Sequence, residues 1–143
     1  MYTFKKNERL TSLKEIDSLF ERGRNSSVSV FPVRAVYQTL PMPQDGRPTP
    51  PVKVLISVAK KRLHHAVDRN RAKRQLREAY RLQHHPLSHT LSHGTSPLVM
   101  RLALIWLSET PQPSSRVSEA VGRILSLIDK RLTEGQTKSP SAQ

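Results

Sequence analysis

The segment Val52–Gln83, VKVLISVAKKRLHHAVDRNRAKRQLREAYRLQ, changes its hydrophobic period partway along, and that change decides the fold. Val52, Val54, Ile56 and Val58 alternate without a break, the pattern of a strand with one buried face. Lys53, Leu55, Ser57 and Ala59 occupy its other face, and the strand runs directly into Lys60-Lys61. From His65 or Asp68 to about Gln83 the period becomes helical, with Ala72, Leu76 and Ala79, and Tyr80 beside them, forming an apolar stripe. Arg69, Lys73, Arg77 and Arg81 recur every fourth residue and stack along another face. Between Lys60 and Arg81, nine Lys and Arg face only Asp68 and Glu78, which places +7 of the chain's net +13 in this stretch. Like charges at this spacing repel by a few tenths of a kcal/mol per pair, so the row is costly unless a polyanion lies against it. A solvated face would interleave Glu with Lys. The pattern therefore points to a nucleic-acid backbone.

Composition bounds the rest. At 143 residues the chain fits one domain, and a pI near 10.9 with 36% hydrophobic residues suits a folded basic protein with a modest core. The absence of cysteine excludes disulfides, thiolate zinc sites and thiol catalysis. The N-terminal MYTFKKNERL has no apolar run behind its charges, so no signal peptide is expected, and Leu102–Leu107 is far too short to cross a bilayer. A cytoplasmic protein without membrane contact is the expectation.

On the N-terminal side, Ser12-Leu13-Lys14-Glu15 reads as a capping box in which Glu15 reaches back to Ser12. Leu13, Ile16 and Phe20 then recur helically, and Gly23 reads as the stop of a first helix over about residues 12–22. Ser27–Thr39 is β-branched and alternating, with Val33, Ala35, Tyr37 and Thr39 on one side, and Pro32 predicts a bulge or an interruption into two short strands. Residues 41–51 (PMPQDGRPTPP) form a proline-rich exposed loop, and residues 84–97, rich in His, Ser and Pro, read as a second loop. Leu98–Leu107 is apolar on both faces, as expected of a central strand covered on both sides. Ser114 or Ser115 caps a last helix whose stripe runs Val117, Ala120, Val121, Ile124, Leu125, Ile128 and Leu132. Residues 133–143 read as a polar, disordered tail, which leaves residues 1–132 as the single domain. The expected order is α-β-β-β-α-β-α: an α+β two-layer sandwich of helices on a small four-stranded sheet.

The run Ala66-Val67-x-Arg69-Asn70-Arg71-x-Lys73-Arg74-x-x-Arg77-Glu78, behind Lys60-Lys61 at a strand end, closely resembles the signature of the bacterial ribonuclease P protein subunit. FKKNERL before a helix ending LFERG, the strand ending ISVAKK, and the late strand with a C-terminal helix extend the resemblance over about residues 4–132. It implies a left-handed β-α-β crossover at the basic helix, against the rule that about 98% of such connections obey. It implies as partners a catalytic RNA subunit and precursor tRNA, whose 5′ leader is gripped between the first helix and the sheet and then removed. No obligate protein partner is expected. Catalysis would belong to the RNA, with Mg²⁺ held chiefly by RNA and no active site in the protein.

Residue chemistry assigns roles within that frame. Arg69, Arg71, Arg74, Arg77 and Arg81, with Arg62, offer planar forks for phosphate, whereas Lys60, Lys61 and Lys73 act as point charges. Asn70 carries donor and acceptor, which suits a 2′-hydroxyl or a metal-bound water; the other reading is a local cap or turn residue. Tyr80 reads as core, and Glu78 as the partner of Arg74 or Arg81. For the leader cleft the candidates are Ile16, Phe20, Phe31, Arg34, Tyr37 and Lys53, a stacking platform over a positive groove. The family often places an aromatic where this chain has Ile16, and often follows the last strand with Lys or Arg, whereas Leu107-Ser108-Glu109 follows it here. His84, His85, His89 and His93 have metal-like spacing, but Pro86 and the lack of a nearby carboxylate argue against a metal site. No acid pair, Ser-His-Asp set or phosphate-cradling glycine loop is visible. A ribosomal-protein type of RNA binder is the alternative that charge alone equally supports. A leucine-zipper basic region is opposed by His84-His85-Pro86, which ends the helix where heptads would have to begin.

Overall fold

Pro32 divides the first β segment in two. β1 (Ser26–Val30) pairs antiparallel with β2 (Val33–Pro41) in a register that matches Val30 with Val33, so Phe31 and Pro32 alone make the turn, with a cis bond between them. The structure, a computed structural model, describes residues 8–46, 49–93 and 97–142. Phe4–Asn7 of the FKKNERL motif, Arg47 and Pro48 of the proline-rich loop, Gly94–Ser96 of the histidine-rich segment and Gln143 lie outside the described residues.

The other elements are α1 (Leu13–Leu19), β3 (Val52–Ser57), α2 (Ala66–Gln83), α3 (His85–Ser92), β4 (Leu98–Trp106) and α4 (Ser114–Ala142). The sheet order is β1-β2-β4-β3, antiparallel except for the parallel pair β3 and β4. β4 is thus the interior strand expected from its two apolar faces. Leu102 and Leu104 are buried on one side and Ala103 on the other. The larger core lies between the sheet and the helices α2, α3 and α4, around Trp106, Tyr80, Leu76, Ile124 and Ile128. A smaller one, Leu10, Leu19, Val36 and Ala103 with Ile16, Leu55 and Ile105 against them, seats α1 on the opposite face.

The hand of the β3-α2-β4 connection follows from chirality. On an upward strand of L-residues, a side chain facing the viewer has its own N–H and C=O on the viewer's right. Met100 faces the three-helix core, and its N–H donates to Pro51 O at 2.7 Å. Seen from the helices, β3 therefore lies to the right of β4, and the chain moves leftward through α2. The crossover is left-handed, as the resemblance implies and against the general rule.

Three sequence expectations need correction. Residues 84–97 are not all loop, because α3 occupies His85–Ser92. Pro86 falls in its first turn, where a missing N–H costs nothing, and Leu87 and Leu91, one turn apart, are both buried. That i,i+4 leucine pair was the available signal. α1 ends at Leu19 rather than near residue 22, because Asn25 Nδ2 donates to Leu19 O at 2.7 Å and the chain turns through Gly23 at φ +83°. Past Leu132, α4 continues to Ala142 where the composition reads as a tail. Extending a docked helix fixes one residue for each hydrogen bond gained, so polar composition alone does not stop it.

Candidate nucleic-acid interface

α2 begins where β3 ends. A tight turn, with Arg62 N–H and Leu63 N–H both donating to Ala59 O at 3.0 and 3.2 Å, carries the chain from the strand toward His65, the N-cap residue. Ala72, Leu76, Ala79 and Tyr80 are buried against the rest of the domain, so the opposite face of α2 points outward. With 3.6 residues per turn, the centre of that outward face falls on Asn70, Arg71 and Arg74. All three are exposed, as are Lys60 and Lys61 in the approach to the helix. Asn70 sits inside the helix and caps nothing. Its amide is exposed on the same outward face as Arg71 and Arg74.

The stacked row of cations behaves differently from its central neighbours. Arg69, Lys73, Arg77 and Arg81 are all partly buried; the first three run up one flank of the outward face, and only Arg81, two turns beyond Arg74, comes into line with its centre. Arg69 turns back, and its Nη1 donates to Leu63 O at 3.0 Å and to His64 O at 2.9 Å. The sequence reading made it a phosphate anchor; here its guanidinium first holds the strand-to-helix turn. Arg69→Ala should therefore cost about 1.5–3 kcal/mol, the worth of hydrogen bonds made by a charged donor. Chemical denaturation of the variant measures this. Arg81 pairs with Glu78 through two hydrogen bonds, the partnership expected for Glu78. That bond holds the Glu78 carboxyl below its ordinary range and raises Arg81. Arg62 stands 3.9 Å from Glu109, beyond the end of β4. Tyr80 is buried, and loss of solvation, followed by the charge of Glu8, pushes its hydroxyl far above the ordinary range. It is core, as read.

Across the sheet, α1 overlies the side chains of Lys53 and Leu55 on β3, Arg101, Ala103 and Ile105 on β4, and Arg34, Val36 and Gln38 on β2. The structure brings Ile16, Phe20, Arg34 and Lys53 to this side. Ile16 packs into the small core, Phe20 is 45% exposed and Arg34 is exposed. Phe31 and Tyr37 do not join them. Successive strand residues alternate faces, and Tyr37, three beyond Arg34, must point the other way. It lies in the main core, where Arg131 Nη1 donates to its hydroxyl at 3.3 Å. Phe31 sits in the hairpin turn beneath Arg116, whose guanidinium is 5.5 Å from the ring centre, beside the start of α4.

The residue that sequence reasoning missed is Arg101, which lies between Lys53 and Gln38 in the sheet register. A lone cation inside the apolar run Leu98–Leu107 was the available signal. Glu15 accepts from its Nη2 at 3.3 Å and lies 3.6 Å from Lys53 Nζ. The Glu15 carboxylate therefore faces the sheet instead of completing the capping box, although its backbone N–H does donate to Ser12 Oγ at 3.4 Å. In the histidine-rich segment the rings stack, His84 on His85 at 4.6 Å and His89 on His93 at 4.0 Å. Among the described residues no group of three or more His, Asp or Glu could hold a metal ion, and no helix is long and apolar enough to cross a membrane.

A cationic helix face on a left-handed β-α-β unit, with a short helix seated on the far face of the sheet, defines a class of small basic α+β protein. A family model described as ribonuclease P matches residues 4–103. The chain belongs to the ribonuclease P protein family. The ribonuclease P protein component of Porphyromonas gingivalis is 43% identical over 86 residues, covering 60% of this chain and 58% of that one. That of Chlorobium phaeobacteroides is 32% identical over 108 residues, covering 73% and 72%. The match thus spans less than two thirds of the length of the P. gingivalis relative. The ribonuclease P protein of Staphylococcus aureus shares the fold, with a TM-score of 0.60 at 16% identity, covering 85% of this chain and 94% of that one.

Proposed function

We propose that the chain acts as the protein subunit of ribonuclease P. In this reading the outward face of α2, with Lys60 and Lys61, binds the catalytic RNA subunit. The groove under α1 takes the 5′ leader of precursor tRNA. The protein then assists hydrolytic removal of that leader in the cytoplasm. The observation that carries the reading is the position of Asn70, Arg71 and Arg74 at the centre of the exposed face of α2, within the motif on which the family resemblance rests.

The division of labour follows from the side chains. Arginine forks fix phosphate positions, lysines add attraction that salt screens, and Asn70 supplies a contact that distinguishes RNA from DNA. Mg²⁺ is assigned to the RNA, where it would activate water and stabilise the leaving oxygen. Asn70 contributes at most a hydrogen bond to water already bound to the ion. Reconstitution tests the proposal. The purified chain should leave precursor tRNA intact, and adding the bacterial RNA subunit with Mg²⁺ should give cleavage at the mature 5′ end. Robust site-specific cutting by RNA-free protein would overturn the assignment of catalysis to RNA. Copurification with ribosomal RNA, together with no effect on the RNA subunit, would favour the ribosomal-type alternative.

A further inference from the structure

Three sheet neighbours on the α1 side, Lys53 on β3, Arg101 on β4 and Gln38 on β2, form a row beneath Glu15. Arg101 Nη1 donates to Gln38 Oε1 at 2.9 Å, and Gln38 Nε2 donates to Arg24 O at 3.2 Å, which holds one side of the guanidinium in place. Its other nitrogen and Lys53 Nζ converge on the two oxygens of Glu15, at 3.3 and 3.6 Å. These distances exceed the ~2.7–2.9 Å of a strong charge-assisted bond. The three side chains keep 20–32% of their surface in contact with water. Two cations thus share the single carboxylate of Glu15. Beside them a cavity of about 370 Å³, walled by Leu40, Pro41, Pro43, Thr49 and Pro50, opens the cluster to solvent, with Asp45 as a second carboxylate among the described residues that line it.

A carboxylate and a phosphate present the same pair of acceptor oxygens to an arginine fork. We propose that Glu15 stands in for a phosphate. It occupies a phosphate subsite formed by Lys53 and Arg101 while the protein is free, and yields the site to a backbone phosphate of single-stranded RNA. The subsite rests on the RNA-binding reading and adds to it a self-occupied contact. Glu15 rides on α1, a helix of seven residues seated on the smaller of the two cores. Its displacement loosens α1 from the sheet where the strand must enter.

The test compares charge-matched variants of the full chain binding a single-stranded RNA ten-mer across a salt series. Glu15→Gln keeps the shape and an acceptor for Arg101 but removes the charge. Asp17→Asn makes the same change in net charge at an exposed position of the same helix. Glu15→Gln should bind roughly 5-fold more tightly, the worth of one partly exposed ion pair released. Its log–log salt slope should stay close to that of the wild type, because the same phosphate fills the subsite in both complexes, whereas Asp17→Asn should change affinity little. Adding Arg101→Gln to Glu15→Gln should cancel the gain. Lys53→Gln alone should flatten the slope by about 0.7, a readout that survives if Glu15→Gln folds poorly. Equal shifts in Glu15→Gln and Asp17→Asn, or an unchanged slope in Lys53→Gln, would make Glu15 a permanent structural partner and overturn the proposal. Wild-type protein that binds no RNA would instead overturn the functional reading on which the subsite rests.

Discussion

Replacing Lys60, Lys61, Arg71 and Arg74 together by alanine should abolish most RNA affinity while leaving the fold intact. The four side chains are exposed, and alanine favours helix at the two positions within α2. Melting temperature should hold, or rise slightly as mutual repulsion is relieved. Every phosphate that no longer meets a cation should flatten the salt dependence by about one unit, so the combined variant should lose about three to four units of slope. At ~0.15 M salt that corresponds to a weakening on the order of 10²–10³-fold. The measurement is a binding isotherm of the RNA subunit at several salt concentrations. Arg71→Lys alone separates geometry from field: affinity should drop with little change in slope, because charge remains while the planar fork is gone. An unchanged affinity and slope in the fourfold variant would reduce the α2 face to a solvated surface.

Leu76→Ala should do the reverse. Leu76 is fully buried at the centre of α2, in the core shared by the sheet and α4. Truncation removes its packing and leaves a cavity, at a cost of ~2–5 kcal/mol. In a domain of this size the melting temperature should fall by roughly 8–20 °C. The salt slope of the folded fraction should not move, because no cation has been touched. Ile124→Ala and Ile128→Ala, on the facing stripe of α4 and equally buried, should lose stability within the same range. Near-neutral melting at Leu76 would mean that α2 is not docked, and the outward face deduced from its buried stripe would lose its basis.

The sequence was most legible where two periodicities were clean. The strand Val52–Ser57 and the helix Ala66–Gln83 segregate apolar from charged residues so completely that burial of Leu76 and Tyr80 and exposure of Arg71 and Arg74 follow from spacing alone. The cleft was harder. Alternation says which strand residues share a side but not which side a helix covers, and grouping Arg34 with Tyr37 across an odd interval set one of them on the wrong face. Phe31 was misplaced because a two-residue turn aims its side chain by backbone geometry that no periodicity encodes. Glu15 obeyed a local capping signal in its backbone and a tertiary one in its side chain, and two cations outweighed one backbone N–H. α3 went unread because its polar, proline-containing composition masked the single pair Leu87 and Leu91.

The place of β4 in the sheet sets the order in which the molecule becomes a solid body. β4 lies between β2 and β3, yet it is the last strand in the chain, separated from β3 by two helices. Until residues 98–106 have left the ribosome, β3 has only the short bridge from Arg9 and Leu10 to Val54, and β2 has only β1. The cationic helix is therefore synthesised before the floor on which it rests. A nascent chain stopped short of residue 98 carries all the charge of α2 with two open strand edges and no closed core, a state prone to adventitious pairing. Insertion of one strand then closes both halves of the sheet at once, which makes completion of this domain a single late event of high contact order.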